Sequence, residues 1–355
     1  MSTEPFDLEL LTDLTETSGV PGYEDRIRVL VREVFDDAVD TVRTDAMGNV
    51  VGTIEGESDY SVAVAAHMDE IGFMVKHIAG EDDGFGYLQL DALGGWDARV
   101  LKAQRVTVHT YDGDLPGIIG SPPPHTLSEE ERSKTPEVED VYVDMGLEKS
   151  VLEEHVSVGD LVTMEQSTER VGETVTGKAL DDRLCLFAML EAARRIQNPD
   201  VTIHFCATVQ EEVGLRGARA LGVDVDPDLA IALDVTVAND VPGFDAAKHV
   251  TRLGEGTAIK LKDSSVITSP KVHRRLRDVA EDEEIDHQLE VLPAGGTDTA
   301  GFQHTHGAKP VGAISIPTRY LHTVTETAHV DDVAATIDLL AAFLASETGE
   351  HDYSL

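Results

Sequence analysis

The sequence predicts an α/β protein in which a mixed β-sheet lies between two layers of helices and a small all-β unit interrupts the chain. Two observations lead to this fold class. Runs of Val, Ile and Ala alternate with segments of helical periodicity, which is typical of strands covered by helices on both faces. Between residues 70 and 162 this pattern is replaced by short predicted strands separated by Gly, Asp and Pro.

The N-terminal part predicts two helices followed by three strands. Apolar residues recur at helical spacing in "FDLELLTDLTETSG" and again in "YEDRIRVLVREVF". The stretch "TVRTDAMGNVVGTIEG" indicates two short strands around a Gly-Asn turn. The next stretch, "SVAVAAHMD", indicates a strand that is buried on both faces.

The middle of the chain predicts a small barrel or sandwich. Its short strands are "IGFMVKHI", "YLQLDAL", "RVTVHTY", "VYVDMGL" and "DLVTME", and no good helix lies among them. The segment "GSPPPHTLSEEERSKTPEVED" is rich in Pro and acidic residues, so we expect a mobile loop there.

The α/β alternation returns in the last part of the chain. Helices are predicted at "RLCLFAMLEAARRI", "KVHRRLRDVAEDEE" and "VDDVAATIDLLAAFLA", and strands at "VTIHFCATV", "DLAIALDVTVA", "HQLEVL" and "PVGAISIP". The simplest division is therefore a discontinuous α/β domain, residues 1–69 and 163–355, interrupted by a β insertion, residues 70–162.

The charge of the chain excludes some partners. It has 67 acidic and 28 basic residues, a formal net charge of -39 spread along the sequence, and no basic patch that would suit a nucleic-acid partner. A surface covered with carboxylates suits concentrated salt, where self-repulsion is screened. The sequence shows neither an apolar stretch of membrane-spanning length nor a secretory signal. We therefore expect a cytoplasmic protein of a salt-loving organism, without membrane partners.

Candidate metal ligands occur mostly where predicted strands end, which is where sites form in open α/β sheets. Taken singly, each candidate has an ordinary structural explanation. An Asp can cap a helix or form a turn, and a His can be a core residue with its hydrogen bonds made within the protein. Their occurrence together in one sequence is what indicates a metal site. The candidates are His67, Asp69, Asp181, Asp182, Glu211, Glu212, Asp234 and His322.

The adjacent carboxylates of Glu211 and Glu212 point to a cation. Like charges at this distance repel, so one of the two would hold a proton unless a positive charge lies beside them. The other candidate ligands in the sequence suggest that this cation is a metal ion.

These stretches resemble one known family. "AHMDEIGFMV", "GKALDDR", "VQEEVGLRGA", "LDV", "GGTDT" and "RYLHT" occur in the order and approximate spacing of the tetrahedral (TET) aminopeptidases, two-metal enzymes related to glutamyl and deblocking aminopeptidases. The likeness covers nearly the whole chain. It implies a three-layer α/β/α metallopeptidase domain with a mixed sheet. It also implies an enzyme that removes the N-terminal residue from short peptides with a free N-terminus.

The resemblance assigns the ligands of two divalent ions. Asp181 would bridge the ions, His67 and Asp234 would bind one of them, and Glu212 and His322 would bind the other. Imidazole and carboxylate ligands without a thiolate suit Zn²⁺ or Co²⁺.

Two further acids are implied to act without binding metal. Asp69 would accept the second ring N–H of His67 and so set its tautomer. Glu211 would act as general base, taking a proton from the attacking water and delivering it to the leaving amine. Adjacent residues at a strand end project in different directions, so Glu212 can bind metal while Glu211 stays free.

The same resemblance extends to the peptide substrate and to the backbone. "LPAGGTDTAG" is similar to a glycine loop beside the substrate, where Gly295 and Gly296 would let the backbone approach the peptide, although an ordinary turn is an alternative. The bond between Asp181 and Asp182 resembles one that tends to be cis. Cys185 is a departure, since relatives usually have a Gly there.

Assembly is implied only by the resemblance. Relatives form dodecameric tetrahedra with inward-facing active sites, so self-assembly into dimers, and into a dodecamer, is expected, with the β insertion supplying dimer contacts. Two other functions stay open from the sequence. One is a related metallohydrolase of the aminoacylase or carboxypeptidase type. The other is a catalytically inactive homologue that still binds metal.

Overall fold

The computed structural model describes residues 6–355, which form an eleven-stranded mixed sheet with its helices and a separate closed barrel. In this part of the chain the helices are α1 (Leu8–Glu16), α2 (Asp25–Asp36), α3 (Glu129–Ser133), α4 (Lys149–His155), α5 (Leu180–Ala193), α6 (Arg216–Val225), α7 (Pro270–Asp282), α8 (Asp298–Gln303) and α9 (Val330–Ala345).

Residues 6–355 also contain seventeen strands. They are β1 (Thr41–Thr44), β2 (Val50–Ile54), β3 (Ser61–His67), β4 (Gly72–Ala79), β5 (Phe85–Leu93), β6 (Gln104–Thr110), β7 (Gly113–Ile119), β8 (Tyr142–Glu148), β9 (Leu161–Met164), β10 (Glu169–Val171), β11 (Thr174–Gly177), β12 (Thr202–Thr208), β13 (Leu229–Val237), β14 (Thr257–Lys262), β15 (His287–Val291), β16 (Val311–Arg319) and β17 (Glu326–His329).

The main sheet has the strand order β1-β2-β12-β3-β13-β16-β17-β11-β10, and β14 pairs with β16 and with β15. Its centre is parallel, because β3 runs parallel to both β12 and β13, and β13 runs parallel to β16. The outer pairs β1–β2, β16–β17, β17–β11 and β11–β10 are antiparallel. The predicted mixed sheet is confirmed, and the carboxyl ends of its central strands meet at one edge.

Helices cover both faces of this sheet, as the sequence predicts. On β3, the side chains of Val62 and Val64 belong to the core formed with α1, α5 and α9. The alternate residues Ala63 and Ala65 belong to a second core with α6 and with Phe302 of α8. Successive side chains on a strand point to opposite faces, so a strand buried on both sides is apolar at every position.

The barrel closes through the strand order β4-β5-β8-β7-β6-β9, with every neighbouring pair antiparallel. Its interior is apolar, and Trp96 stacks on Phe73 at 5.1 Å between ring centroids. The predicted all-β insertion is thus a barrel whose strands lie between Gly72 and Met164. The division of the chain at residues 70 and 162 stays a prediction.

Several elements were not predicted. Helices α6 and α8 follow Gly-rich stretches, and β10, β11 and β17 have only three or four residues each, too few to show a period. The Pro-rich acidic segment contains α3 and two short 3₁₀ turns, and α4 lies next to β8 in a region expected to lack helices. Within residues 6–355, no helix combines the length and the apolar composition that crossing a membrane requires.

We expect Gly217→Ala to destabilise the protein, although Ala normally favours a helix by about 1 kcal/mol over Gly. A Cβ at Gly217, in the first turn of α6, would overlap the Val209 carbonyl and the Asn49 side chain and lie 2.7 Å from the Val209 nitrogen. The helix would have to move away from the end of β12. We expect a loss of about 1–3 kcal/mol in the free energy of unfolding, measured by urea titration.

The control for this substitution is Gly84→Ala. A Cβ at Gly84 would make only ordinary contacts with Glu81, at 3.6 and 3.7 Å. An equal loss of stability in both variants would mean that the close approach of α6 to β12 is not the cause.

Candidate metal centre

The predicted site residues come together at the carboxyl edge of the parallel strands. His67 is the last residue of β3, and Asp234 lies near the end of β13. Glu211 and Glu212 lie in the loop between β12 and α6. The first turn of α5 contains Asp181 and Asp182, and the loop between β16 and β17 contains His322. The site therefore consists of five chain segments that are far apart in the sequence.

Asp181 lies between the two histidines. Its Oδ1 is 3.2 Å from Nε2 of His67, and its Oδ2 is 3.4 Å from Nε2 of His322. Each carboxylate oxygen thus faces a different imidazole. This is the arrangement that a bridging carboxylate requires.

Backbone carbonyls select the tautomer of both histidines. The Nδ1 atom of His67 lies 3.1 Å from the Asp69 carbonyl oxygen, and Nδ1 of His322 lies 2.7 Å from the Gly95 carbonyl oxygen. A carbonyl oxygen can only accept, so each ring donates its Nδ1–H. This leaves Nε2 of each ring as the atom available to a metal ion.

The ligand atoms fall into overlapping groups. His67, Asp181 and Asp234 offer one ligand atom each, all within 4.8 Å of one another. A second such group is Asp181, Glu212 and His322. The two groups share only Asp181. They have the same composition as the two ligand sets that the resemblance implies.

Glu211 belongs to a third group, with His67 and Glu212. Its carboxylate is 4.0 Å from Nε2 of His67, whereas the Glu212 carboxylate is 3.8 Å from Nε2 of His322. The neighbouring glutamates therefore approach different histidines. Their side chains are only 10% and 7% exposed, so water screens neither charge well.

Asp69 contacts the two glutamates as well as His67. Its Oδ1 accepts the backbone N–H of Glu211 at 3.0 Å and its Oδ2 accepts that of Glu212 at 3.1 Å. The expected bond from the His67 ring to the Asp69 carboxylate spans 3.6 Å, longer than the 3.1 Å to the Asp69 carbonyl. The nearer acceptor for the ring is thus the main chain of Asp69, and its carboxylate holds the glutamate loop.

Asp182 lies beneath the site and is fully buried. The Asp181–Asp182 peptide bond is cis, as the resemblance implied. The carboxylate of Asp182 accepts the backbone N–H of His67 at 3.3 Å. Cys185, one turn further along α5, is buried, and its thiol contacts Asp182.

Gly295 and Gly296 lie in the loop before α8. Gly295 has a φ of +86°, which favours glycine, and its carbonyl accepts the Ser264 hydroxyl. The loop leads into α8, whose first residue, Asp298, has a buried carboxylate that accepts the Thr208 hydroxyl. Burial raises the pKa of Glu211, and the Asp298 carboxylate adds to this shift.

Two residues of the site were not predicted from the sequence. Gly95, in the loop after β5, supplies the carbonyl for His322, and a Cβ there would lie only 2.9 Å from His322 Nδ1. Glu326, at the start of β17, is buried and accepts backbone N–H groups of Asp181 and His322. Neither has a sequence signal of its own, because both act through main-chain atoms of distant segments.

The electrostatics of the site show an excess of negative charge. Burial, and next the Asp181 carboxylate, raise the pKa of Glu212 to about 8. Burial also raises the pKa of Glu211 and of Asp234 well above the ordinary carboxyl value, and neighbouring carboxylates add to both shifts. A positive charge beside these acids would favour their ionised forms.

Histidine supplies part of that charge. Burial opposes ionisation of Asp181, but its contacts with His322 and His67 prevail and lower its pKa. The same contact with Asp181 raises the pKa of His322 to about 10. Burial lowers the pKa of His67, yet its carboxylate neighbours, Asp181 first, raise it overall.

These residues fit divalent cations. Imidazole Nε2 atoms and carboxylate oxygens are the ligands that Zn²⁺ and Co²⁺ accept, and the carbonyl bonds orient both rings. Two positive ions would favour the ionised form of carboxylates whose pKa burial raises.

Comparison with known proteins agrees with this geometry. The M42 glutamyl aminopeptidase family matches residues 48–339. The lysyl aminopeptidase of Pyrococcus furiosus is 37% identical, with 95% of this chain and 96% of the relative covered. Among solved structures, an aminopeptidase of Desulfurococcus kamchatkensis is 38% identical, with a TM-score of 0.91 and coverage of 96% and 95% of the two chains.

A TET assembly is also among the similar structures. The TET1 peptidase of Pyrococcus horikoshii, which assembles into a tetrahedron or a large octahedral shell, has a TM-score of 0.85 and 33% identity, covering 96% of this chain and 99% of its own. The family match covers most of the sequence, and both the sheet and the barrel have counterparts in these structures. The chain therefore belongs to the M42 glutamyl aminopeptidase family, which includes the TET aminopeptidases, and it is a peptide hydrolase of the exopeptidase class.

Proposed function

We propose that this protein is a two-metal aminopeptidase that removes the N-terminal residue from short peptides, with Glu211 as general base. The observation that supports this most directly is the pair of ligand groups that share Asp181. One ion would be held by His67 and Asp234, the other by Glu212 and His322, with Zn²⁺ or Co²⁺ as the fitting metals.

The chemistry divides between the ions and the chain. When bound, the ions would supply Lewis acidity towards the scissile carbonyl and the attacking water. Glu211 takes the proton from the attacking water and delivers it to the leaving amine. Its position supports this role, since it borders His67 but lies outside both groups that share Asp181. Asp69 holds it there through the backbone N–H of Glu211.

The substrate class follows from how the amino end of a peptide would be held. One of the ions, or an adjacent carboxylate, would hold the α-amino group. This demand for a free N-terminus limits cleavage to the first peptide bond. Gly295 and Gly296 would lie along the peptide backbone, in the loop that precedes Asp298.

Assembly and environment complete the proposal. The TET1 peptidase of Pyrococcus horikoshii assembles into closed shells. We propose that this chain also self-associates into dimers, and into a dodecamer, with dimer contacts from the barrel. The net charge of -39 suits a cytoplasm rich in salt, which would screen repulsion between subunits.

The first prediction tests the catalytic base. Glu211→Gln should lower kcat for aminoacyl-p-nitroanilides by about 10²–10⁴-fold, because an amide cannot accept the proton, while metal binding is retained. The assay is run in about 2–3 M KCl, where the Debye length is below about 3 Å. EDTA should abolish the wild-type activity, and added Co²⁺ or Zn²⁺ should restore it.

Glu212→Gln is the matched comparison, one residue along the chain. It should lose metal as well as activity, because Glu212 lies in the group with His322. Equal metal loss in both variants would contradict the division of roles between the two glutamates. A metal-loaded wild type that is inert on every free-amine substrate would overturn the aminopeptidase itself and direct the search to N-acylated substrates.

The second prediction concerns the barrel's contact with His322. In Gly95→Ala the new Cβ would lie 2.9 Å from Nδ1 and 3.1 Å from Cε1 of this ring, so the ring must move. We expect metal affinity to fall by about 10–100-fold, measured by calorimetric titration of the metal-free protein. Gly120→Ala, whose Cβ would meet no atom within 4 Å, is the control. Unchanged affinity in Gly95→Ala would contradict a positioning role for this loop.

The third prediction concerns the pH dependence of the metal-free protein. Burial raises the pKa of Glu212 and of Glu326 to about 8, so the folded state keeps protons that an unfolded chain releases near pH 4.5. Stability should therefore fall as the pH rises from about 5 to about 8. His322 acts in the same direction, because its pKa of about 10 lies above the ordinary value.

Melting temperatures in EDTA at pH 5, 6.5 and 8, at constant salt, measure this effect. Added metal should reduce the decrease, since cations favour ionised ligands. Glu212→Gln cannot titrate at this position and should show a smaller decrease. A melting temperature that rises over this range would show that the buried acids are ionised without metal.

A further inference from the structure

Glu326 is a buried carboxylate beside the metal centre, only 2% exposed. Its Oε2 accepts the backbone N–H of Asp181 at 3.0 Å, and its Oε1 accepts the backbone N–H of His322 at 2.8 Å. Each oxygen therefore accepts a hydrogen bond from a different chain segment. One segment leads into α5, and the other precedes β17. A single side chain joins the bridging ligand to a ligand of one ion.

Both N–H groups belong to residues with irregular backbone conformations. Asp181 is at the start of α5 with non-helical angles, φ -77° and ψ 108°, and the first N–H groups of a helix have no partner within it. His322 has a φ of +58°, the left-handed conformation that non-glycine residues disfavour. The bond to Glu326 offsets this cost and sets the direction in which the His322 side chain leaves the backbone.

Asp69 provides a parallel on the other side of the site. Its two oxygens accept the backbone N–H groups of Glu211 and Glu212 at 3.0 and 3.1 Å. Between them, Asp69 and Glu326 bind the main chain of four site residues. The arrangement uses both oxygens of each acid, which a neutral amide cannot reproduce because one end would present N–H₂ to an N–H donor.

We propose that Glu326 is a positioning residue, which sets the separation between Asp181 and His322 and thereby the affinity of the site for the ion they share. The proposal rests on the two-metal function above. It assigns Glu326 no contact with substrate. Replacing one of its two acceptor oxygens should shift the positions of Asp181 and His322 without removing either of them.

The test is a titration of metal-free protein with Co²⁺, whose visible absorption reports ligand geometry. Glu326→Gln should raise the Kd by about 10–100-fold and alter the Co²⁺ spectrum. Glu326→Asp is the second variant. It keeps the charge and both oxygens but withdraws them by one methylene, so they cannot reach both N–H groups. It should also weaken binding.

Asp332→Asn is the matched control. The buried Asp332 carboxylate likewise accepts two backbone N–H groups, those of Gly254 and Gly256, both at 2.8 Å, in a region outside the site. This variant should lose thermal stability as the Glu326 variants do, but keep the wild-type Kd and spectrum.

Three results would overturn the proposal. The first is a Kd within about twofold of wild type in Glu326→Gln or, if that variant does not fold, in Glu326→Asp. The second is an equal rise of Kd in Asp332→Asn, which would make the effect a general loss of stability. The third is wild-type protein that binds no Co²⁺, which would overturn the two-metal function as well. Active, metal-binding wild type with an unaffected Glu326→Gln would overturn the positioning role alone.

Discussion

The repulsion between buried carboxylates is the constraint on which this structure depends. Glu211, Glu212, Asp181, Asp182 and Asp234 meet at one edge of the sheet, mostly shielded from water. Such charges are stable together only if cations and hydrogen-bond donors offset them. The chain provides two imidazoles beside these acids and the backbone N–H of His67, which Asp182 accepts. Asp69 and Glu326 hold the segments in place by accepting the backbone N–H groups of Glu211, Glu212, Asp181 and His322. The ligand geometry is therefore a property of the main chain as much as of the side chains.

Much of this architecture could be predicted from the sequence, and the reason is periodicity. Strands such as β3 and β13 are apolar at every position because helices cover both faces, so the pattern itself predicts the layers. The residues that the structure brings together at the candidate site could be predicted from the sequence as well, because their side chains occur in motifs. Glu326 and Gly95 could not. What matters at these positions is the direction of an N–H or a carbonyl, and this direction is determined by contacts between segments far apart in sequence.

The barrel is part of the site rather than an appendage to the catalytic sheet. The Gly95 carbonyl, in the loop after β5, accepts the Nδ1–H of His322, and Trp96 packs on Phe73 within the barrel core. Val324, two residues after His322, joins the same apolar core. The loop with His322 and Val324 is thus joined to the barrel by a hydrogen bond and by apolar packing. A shift of the barrel relative to the sheet would move His322, a proposed metal ligand, without passing through the rest of the domain.

The order of the site residues along the chain has a consequence for synthesis. His67 precedes Asp181 along the chain, and both are synthesised before His322 and Glu326. Domains generally form as the chain emerges, and contacts between distant segments form late. The nascent chain can therefore build the barrel and the central strands while its hydrolytic centre is still incomplete. The site is complete only after the segment with His322 and Glu326 has been added, so the scaffold can form before the hydrolytic centre does.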